Sequence, residues 1–371
     1  MQALWKFGNK RCFFPVLALL LLVLVAFSGC AAGQAAPRQS VTKKSPPVAT
    51  GAQQTPAKAA EQKGTPIAEP SPGVNAAPKA AKVPAGKSAV AEMLRGAARN
   101  PDDAQPESAF LLEVPDRLWA GDPFAVAFGA SGLQKLVIQW RGKTLSLTPS
   151  PNNPVCRAIL AVPLGEKAAS IPLLLQAHWA DGRKEEFKAK MPILTHDYPV
   201  QSLKVQQKYV TPPPEVQEKI KRDRAELRAA ISPVTPERYW TLPMHRPVPG
   251  VVTSLYGLRR VFNGEERNPH KGVDFDAKEG DPIAAMDKGV VVLVSDHYYS
   301  GNIVAVDHGL GVYSLYLHLS AFNVQKGQRV ERGDTIGLIG STGRVTGPHL
   351  HLSFAVLGDM VNAAACIGGM Q

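Results

Sequence analysis

Residues 347–356 read Gly-Pro-His-Leu-His-Leu-Ser-Phe-Ala-Val, and this stretch decides the fold of the C-terminal part of the chain. Its composition predicts a strand, in which residues two apart project from the same face. His349 and His351 then share one face, while Leu350 and Leu352 lie on the opposite, apolar face. Two imidazoles on one face suit metal binding better than a hydrophobic core, but a single His-x-His motif is weakly specific and needs further ligands elsewhere in the chain.

A second segment places a histidine and a carboxylate four residues apart. His270 lies in a predicted loop, and Asp274 lies on the predicted strand 272–276. Zinc accepts imidazole nitrogen and carboxylate oxygen, and a catalytic zinc site uses three protein ligands plus water. His270, Asp274 and one histidine of the strand 349–356 would supply them. The residue types disfavour copper(I), iron–sulfur clusters, calcium and magnesium, whereas iron(II) remains an alternative.

Short apolar runs separated by glycine-rich turns extend outward from these segments. Over residues 241–365 they predict a compact, mostly antiparallel sheet domain. A second group of alternating runs over 108–196, punctuated by turns such as Asp181-Gly182-Arg183, predicts a β-sandwich of immunoglobulin type. The fold class is therefore mainly β.

The linker between the two predicted domains covers residues 197–240. Three prolines at 212–214 suit the start of a charged helix that runs to about Ala230. A spacer is the favoured interpretation of this helix. The alternative is an arm that packs over the C-terminal domain and gates it.

The positive charge of the chain is concentrated in its N-terminal part. The net charge is +11, but residues 31–100 contain ten basic and three acidic residues, and the first eleven residues add three basic ones. The predicted domains are therefore close to neutral, which argues against a nucleic-acid partner. Residues 31–107 are rich in Ala, Pro and Lys, and residues 31–109 contain no aromatic residue, so 31–107 are predicted to be a disordered tether.

Residues 1–30 have the pattern of an export signal. Lys6, Lys10 and Arg11 precede an apolar run that ends in Phe27-Ser28-Gly29-Cys30. This ending resembles a bacterial lipobox, which implies lipidation of Cys30 and a membrane anchor in the periplasm, with the outer membrane favoured. Cys156 and Cys366 lie in different predicted domains, and two free thiols are the preferred interpretation.

Taken together, the histidine segments resemble the lysostaphin/LytM-type zinc metallopeptidases over roughly residues 242–357. The motif H-x-x-x-D matches His270 and Asp274, and the motif H-x-H matches His349 and His351. The resemblance implies one zinc ion held by His270, Asp274 and His351, with His349 and His318 catalytic. Without it, His318 would be taken as an ordinary strand histidine. Residues 362–366 depart from the pattern, because Asn-Ala-Ala-Ala-Cys replaces the more usual Asp-Pro.

The resemblance implies a zinc endopeptidase that hydrolyses the peptide cross-links of peptidoglycan in wall remodelling or division. Its partners would be peptidoglycan peptide stems and, through the lipid anchor, a membrane. Two alternatives are a non-catalytic wall-binding activator of a separate amidase, and a zinc protease that acts on glycine-rich proteins outside the cell.

Overall fold

The fold is taken from a computed structural model, which describes residues 110–151 and 153–368. The predicted signal segment 1–30, the predicted lipidation site Cys30 and the predicted tether 31–107 lie outside the described residues. Within the described residues, no helix is both long and apolar enough to cross a membrane.

Eight strands of the first domain form two sheets. The strands are β1 (Phe110–Glu113), β2 (Leu118–Trp119), β3 (Pro123–Ala130), β4 (Leu133–Trp140), β5 (Lys143–Leu147), β6 (Val155–Ala161), β7 (Ser170–Trp179) and β8 (Lys184–Leu194). One sheet has the order β1-β3-β6 and the other β2-β8-β7-β4-β5.

The core of this domain consists of the inward-facing residues of the two sheets. Buried and exposed side chains alternate along β7 and β8, as expected for strands with one solvent-facing side. Aromatic rings join the sheets: Phe124 meets Trp140 edge-on at 5.2 Å, and Phe128 lies 5.1 Å from Phe187. The predicted two-sheet β domain is therefore present.

The linker packs on the second domain. It contains β9 (Val200–Leu203), α1 (Gln207–Val210), a 3-10 turn (Pro214–Val216) and α2 (Gln217–Ala230). On α2, Asp223 accepts a hydrogen bond from the backbone N–H of Tyr298 at 2.7 Å, and Glu226 contacts His297 at 3.1 Å. The helix is present as predicted, but the spacer interpretation is wrong because the segment is an arm docked on its neighbour.

The second domain is built on one antiparallel sheet, as predicted. The strands of this domain are β10 (Val252–Ser254), β11 (Arg259–Phe262), β12 (Glu265–Arg267), β13 (Val273–Asp276), β14 (Pro282–Ala284), β15 (Gly289–His297), β16 (Gly301–Asp307), β17 (Val312–Leu319), β18 (Ala321–Phe322), β19 (Arg329–Val330), β20 (Thr335–Leu338), β21 (His349–Val356) and β22 (Asp359–Val361); a 3-10 turn follows at Ala363–Cys366. The order of the main sheet is β10-β13-β21-β17-β16-β15-β19, with β22 beside β21. Two small sheets have the orders β12-β11-β9 and β14-β20-β18.

The central strands of this sheet are covered on both faces. Along β16, Val304 and Val306 belong to the main core, whereas Ile303 and Ala305 pack in a second cluster that includes Ile231 from the end of the linker arm. Coverage on both sides explains why the run is continuously apolar and does not alternate. The arm therefore completes the core of the second domain.

The end of the chain joins the two domains. The Asn362 side-chain oxygen accepts from the backbone N–H of Ala364 at 3.1 Å and so caps the last 3-10 turn. Its amide nitrogen donates to Asp122 of the first domain at 3.1 Å. An aspartate in this position would have no donor for Asp122, so the departure from the Asp-Pro pattern serves the contact between domains. Cys156 and Cys366 are both buried and free.

Candidate metal centre

Sheet register brings the two histidine segments together. Strands β13 and β21 are antiparallel neighbours, and Asp274 lies directly opposite His351. His270 stands just before β13, where its backbone N–H donates to the carbonyl of Leu258 at 2.9 Å. A Cβ at Gly272 would collide with the His351 ring, so a glycine is required between the two ligand segments.

Three side-chain atoms converge in this place. The distances are 3.1 Å from His270 Nε2 to Asp274 Oδ1, 3.0 Å from His270 Nε2 to His351 Nδ1, and 2.7 Å from His351 Nδ1 to Asp274 Oδ1. Ligands of a tetrahedral zinc ion with bonds near 2.0–2.1 Å are separated by about 3.3 Å. The triangle is slightly tighter than that, and its nitrogen and oxygen donors fit a divalent metal.

Hydrogen bonds to the far side of each ring fix which nitrogen faces the centre. Nδ1–H of His270 donates to the carbonyl of Leu255 at 2.8 Å, which leaves Nε2 as the free lone pair. The Ser353 hydroxyl donates to the carbonyl of Lys271 at 3.0 Å, so its oxygen accepts from Nε2–H of His351 at 2.9 Å. His351 therefore offers Nδ1. Such outer contacts orient metal ligands and raise their basicity.

The second carboxylate oxygen of Asp274 is held by Arg260. The guanidinium donates to Oδ2 at 3.0 Å, which leaves Oδ1 for the metal. Burial by itself would raise the pKa of Asp274, but the nearby His270 and His351 rings hold it well below its usual range. The carboxylate is therefore ionised at neutral pH. Arg260 was missed at the sequence level, because no pattern distinguishes it from the adjacent Arg259.

His318 and His349 form the opposite wall of the site, with ring centroids 5.1 Å apart. Nδ1–H of His318 donates to the carbonyl of Thr342, and Nδ1–H of His349 donates to that of Gly347, each at 2.8 Å. Each ring thus keeps Nε2 free as a proton acceptor. His349 Nε2 lies 3.9 Å from Asp274 Oδ1, beside the metal-binding atoms and outside the triangle.

A strained backbone aims His318 into the site. Its φ is +69°, a left-handed conformation that is unusual for a residue other than glycine. Strands β16 and β17 shift register here, so that Leu317 and His318 oppose the single residue Ile303. Strain of this kind costs about 1–3 kcal/mol and is concentrated at functional sites. His318 therefore does not behave as an ordinary strand histidine.

Burial favours the neutral form of two rings of the centre, His351 and His318. It lowers the pKa of His351 to about 4, and burial together with the charges of His351 and His349 lowers the pKa of His318 well below 6.5. At neutral pH these rings therefore carry free lone pairs, which metal binding and proton acceptance both require.

The centre opens into a cleft with two connected parts. One part, about 260 Å³ in volume, is bordered by Lys271, Tyr299 and Ser300 together with the histidines. A smaller part is bordered by Leu203 and Val205 of the linker arm. Arg260 and Arg344 line both parts. Arg344 had no signal in the sequence, because a loop brings it to the site, and the arm was only the less favoured interpretation of the linker.

Comparison with known proteins assigns the second domain. Residues 268–363 match the model of Peptidase family M23. Over 113 residues the chain is 52% identical to the peptidoglycan DD-endopeptidase ShyA of Vibrio cholerae, which covers 30% of this chain and 26% of ShyA. Over 93 residues it is 44% identical to the DD-carboxypeptidase/endopeptidase Mpg of Neisseria meningitidis, which covers 25% of this chain and 21% of Mpg. These matches span about a quarter of the length of the curated relatives.

A solved structure is similar over a longer part of the chain. A crystal structure from Pseudomonas aeruginosa, assigned to peptidase M23, shares 28% identity with a TM-score of 0.50 and covers 67% of this chain and 94% of that one. The resemblance recognised from the histidine motifs is thereby confirmed. The part of this chain that carries His270, Asp274 and His351, residues 268–363, is a Peptidase family M23 domain.

Proposed function

We propose that this protein is a zinc-dependent endopeptidase that hydrolyses peptide cross-links of peptidoglycan. The observation that carries the proposal is the triangle of His270, Asp274 and His351 beside two further histidines, His318 and His349, whose Nδ1–H groups are hydrogen-bonded and whose Nε2 atoms are free. The relatives ShyA and Mpg, whose names specify peptidoglycan or carboxypeptidase/endopeptidase activity, support this substrate class.

His270 Nε2, Asp274 Oδ1 and His351 Nδ1 would hold the zinc ion. When bound, zinc acts as a Lewis acid on a carbonyl oxygen and generates a nucleophile from water at neutral pH. One carboxylate and two neutral imidazoles leave a bound dication with a formal charge of +1, which suits an oxyanion. Arg260 neutralises the second oxygen of Asp274 and keeps the carboxylate oriented.

His349 and His318 supply the proton transfers. A neutral imidazole with a free Nε2 accepts the proton of the attacking water and returns it to the leaving amine. His349 is the more accessible ring, with 20% of its side chain exposed, whereas His318 is buried. We therefore assign the proton shuttle to His349, and keep His318, whose Nε2 is also a proton acceptor, as the second proton-transfer group.

The membrane anchor completes the proposal. Lipidation at Cys30 and a long tether would let the catalytic domain reach the wall from the outer membrane, on the periplasmic side. Mass spectrometry of the mature N-terminus, compared with a Cys30→Ser variant, tests this part. An unmodified N-terminus beyond residue 30 in the native protein would contradict it.

The decisive experiment is digestion of purified sacculi by the zinc-loaded protein, with mass spectrometry of the released muropeptides. Peptide-bond cleavage that a chelator abolishes and zinc restores is the expected result. An activator of a separate amidase would release nothing alone. A protease of glycine-rich proteins would cut glycine peptides and leave the wall cross-links intact.

A further inference from the structure

Arg344 lies in the cleft, in the loop that connects β20 to β21. Its backbone N–H donates to the carbonyl of Tyr299 at 2.9 Å. Gly343 has a φ of +75°, and a Cβ on it would collide with the backbone of Gly301. The loop is therefore pinned against the turn before β16, and these backbone contacts fix the place of Arg344.

Two aromatic rings hold the guanidinium of Arg344. Its Cζ lies 4.8 Å from the ring centroid of Tyr299 and 5.0 Å from that of Phe262. Rings bind the face of a guanidinium, and its N–H groups, which lie in the plane, remain free for a planar acceptor. The side chain is thus pre-positioned in the cleft at little further entropic cost.

No carboxylate among residues 110–151 and 153–368 lies within ion-pair distance of Arg344. The other cation beside the Phe262 ring, Arg260, is already paired with Asp274. Burial, and then the charge of Arg260, lower the pKa of Arg344. A partly buried cation without an acid is costly unless something pairs with it, and the described part of the chain supplies no carboxylate for it.

We propose that Arg344 binds a free carboxylate of the substrate, next to the peptide bond that is cut. The proposal rests on the function proposed above and narrows its substrate class. In a cross-link through the side-chain amine of diaminopimelate, the carbon that bears the scissile amide nitrogen also bears a carboxylate. Guanidinium binds a carboxylate through two parallel hydrogen bonds. Bridges through lysine or glycine chains lack a carboxylate there.

Two synthetic substrates test the proposal, each a dimer of peptidoglycan stem peptides cross-linked through diaminopimelate. They are identical except that the carboxylate next to the scissile amide is free in one dimer and amidated in the other. The full-length zinc-loaded protein should have the higher kcat/KM on the free acid. Arg344→Gln should lose about tenfold to a hundredfold on the free acid, as expected for a charge-assisted hydrogen bond, and change little on the amide. Arg344→Lys keeps the charge without the planar fork and should retain part of the preference.

Arg329→Gln is the matched control. Arg329 also stacks on a ring, with Cζ 5.8 Å from the centroid of Tyr239, but it lines neither part of the cleft. The Arg329→Gln variant should therefore have the native kcat/KM on the free-acid dimer and on the amidated dimer. An equal loss on the two dimers in Arg344→Gln, or equal rates on both dimers in the native protein, would overturn the proposal.

Equilibrium binding separates this proposal from the proposed function. The same two dimers are titrated into a His349→Ala protein, with and without Arg344→Gln. The expected result is a higher affinity for the free-acid dimer, which Arg344→Gln abolishes. This result supports the carboxylate site even where no dimer is cleaved. Equal affinities for the two dimers refute the site even where the native protein digests sacculi.

Discussion

Asp274 and His351 face each other across neighbouring antiparallel strands, with Oδ1 and Nδ1 2.7 Å apart. Directly opposed residues of an antiparallel pair have their side chains close together on one face, so the register of β13 against β21 sets this distance. A slip of one residue would turn Asp274 to the other face and remove a ligand. The candidate metal centre therefore depends on the sheet and not on a flexible loop.

Replacing members of the triangle should separate metal binding from turnover. Asp274→Ala and His270→Ala each remove one of three donors, and we expect both to lose the metal. His349→Ala leaves the triangle intact, so it should keep one zinc ion per chain and lose about a hundredfold or more in rate. Metal analysis of each purified variant, together with muropeptide release, measures both effects. A His349 variant that hydrolyses the wall at the native rate would remove this residue from the mechanism.

Arg260 should control metal affinity from outside the triangle. Arg260→Gln releases Oδ2 of Asp274, and loss of an outer partner of a ligand typically weakens metal binding by about tenfold to a hundredfold. Arg259→Gln is the matched control because the Arg259 side chain is exposed and pairs with Glu266 at 3.7 Å. Competition with a chromophoric chelator gives both zinc affinities. Equal affinities in the two variants would show that the contact to Asp274 has no such role.

The pair Arg259 and Arg260 also shows where prediction from sequence ends. Alternation places the two side chains on opposite faces of β11, but which face meets the metal centre depends on how the small sheet β12-β11-β9, with β9 from the linker, packs in the tertiary structure. The same holds for Arg344, which a loop carries into the cleft. Neither position follows from a local pattern.

The ligands themselves could be predicted because local chemistry specifies them. His349 and His351 share a face by strand periodicity, and the spacing of His270 and Asp274 places both at the start of one strand. His318 was identified through resemblance alone. Its orientation comes from a register shift and a positive φ, and no pattern in the neighbouring sequence predicts either of them.

The stability of the metal-free protein should fall as the pH is lowered from about 7 to 4. Burial lowers the pKa of His351 to about 4, and that of His318 lies well below 6.5, whereas both titrate near 6.5 in the unfolded chain. Between the folded and unfolded values, the unfolded state binds more protons, so acid favours unfolding. The stability that the neutral His351 and His318 rings contribute is fully present above about pH 6.5 and is lost as the pH falls toward 4.

Thermal unfolding of the metal-free protein at several pH values measures this dependence. His318→Gln cannot titrate and should flatten the profile, whereas His245→Gln, at an exposed position, should leave it unchanged. Parallel profiles for the native protein and His318→Gln would show that the His318 ring carries no such penalty.

The linker arm should contribute to the stability of the peptidase domain. Ile231 is 6% exposed and packs in the cluster with Leu293, Ile303 and Leu315 on the outer face of the sheet. Ile231→Ala should lower the free energy of unfolding by about 2–4 kcal/mol, through lost burial and the cavity left behind.

Val234→Ala is the matched control for the arm, because Val234 lies three residues further along and is 47% exposed. A surface truncation of this kind usually changes stability by less than about 0.5 kcal/mol. Denaturant unfolding of both variants gives the comparison. If Ile231→Ala were as mild as Val234→Ala, the arm would be a detachable segment. A large difference makes the end of the arm part of the domain core, since the cavity left by Ile231 would then open between the arm and the sheet.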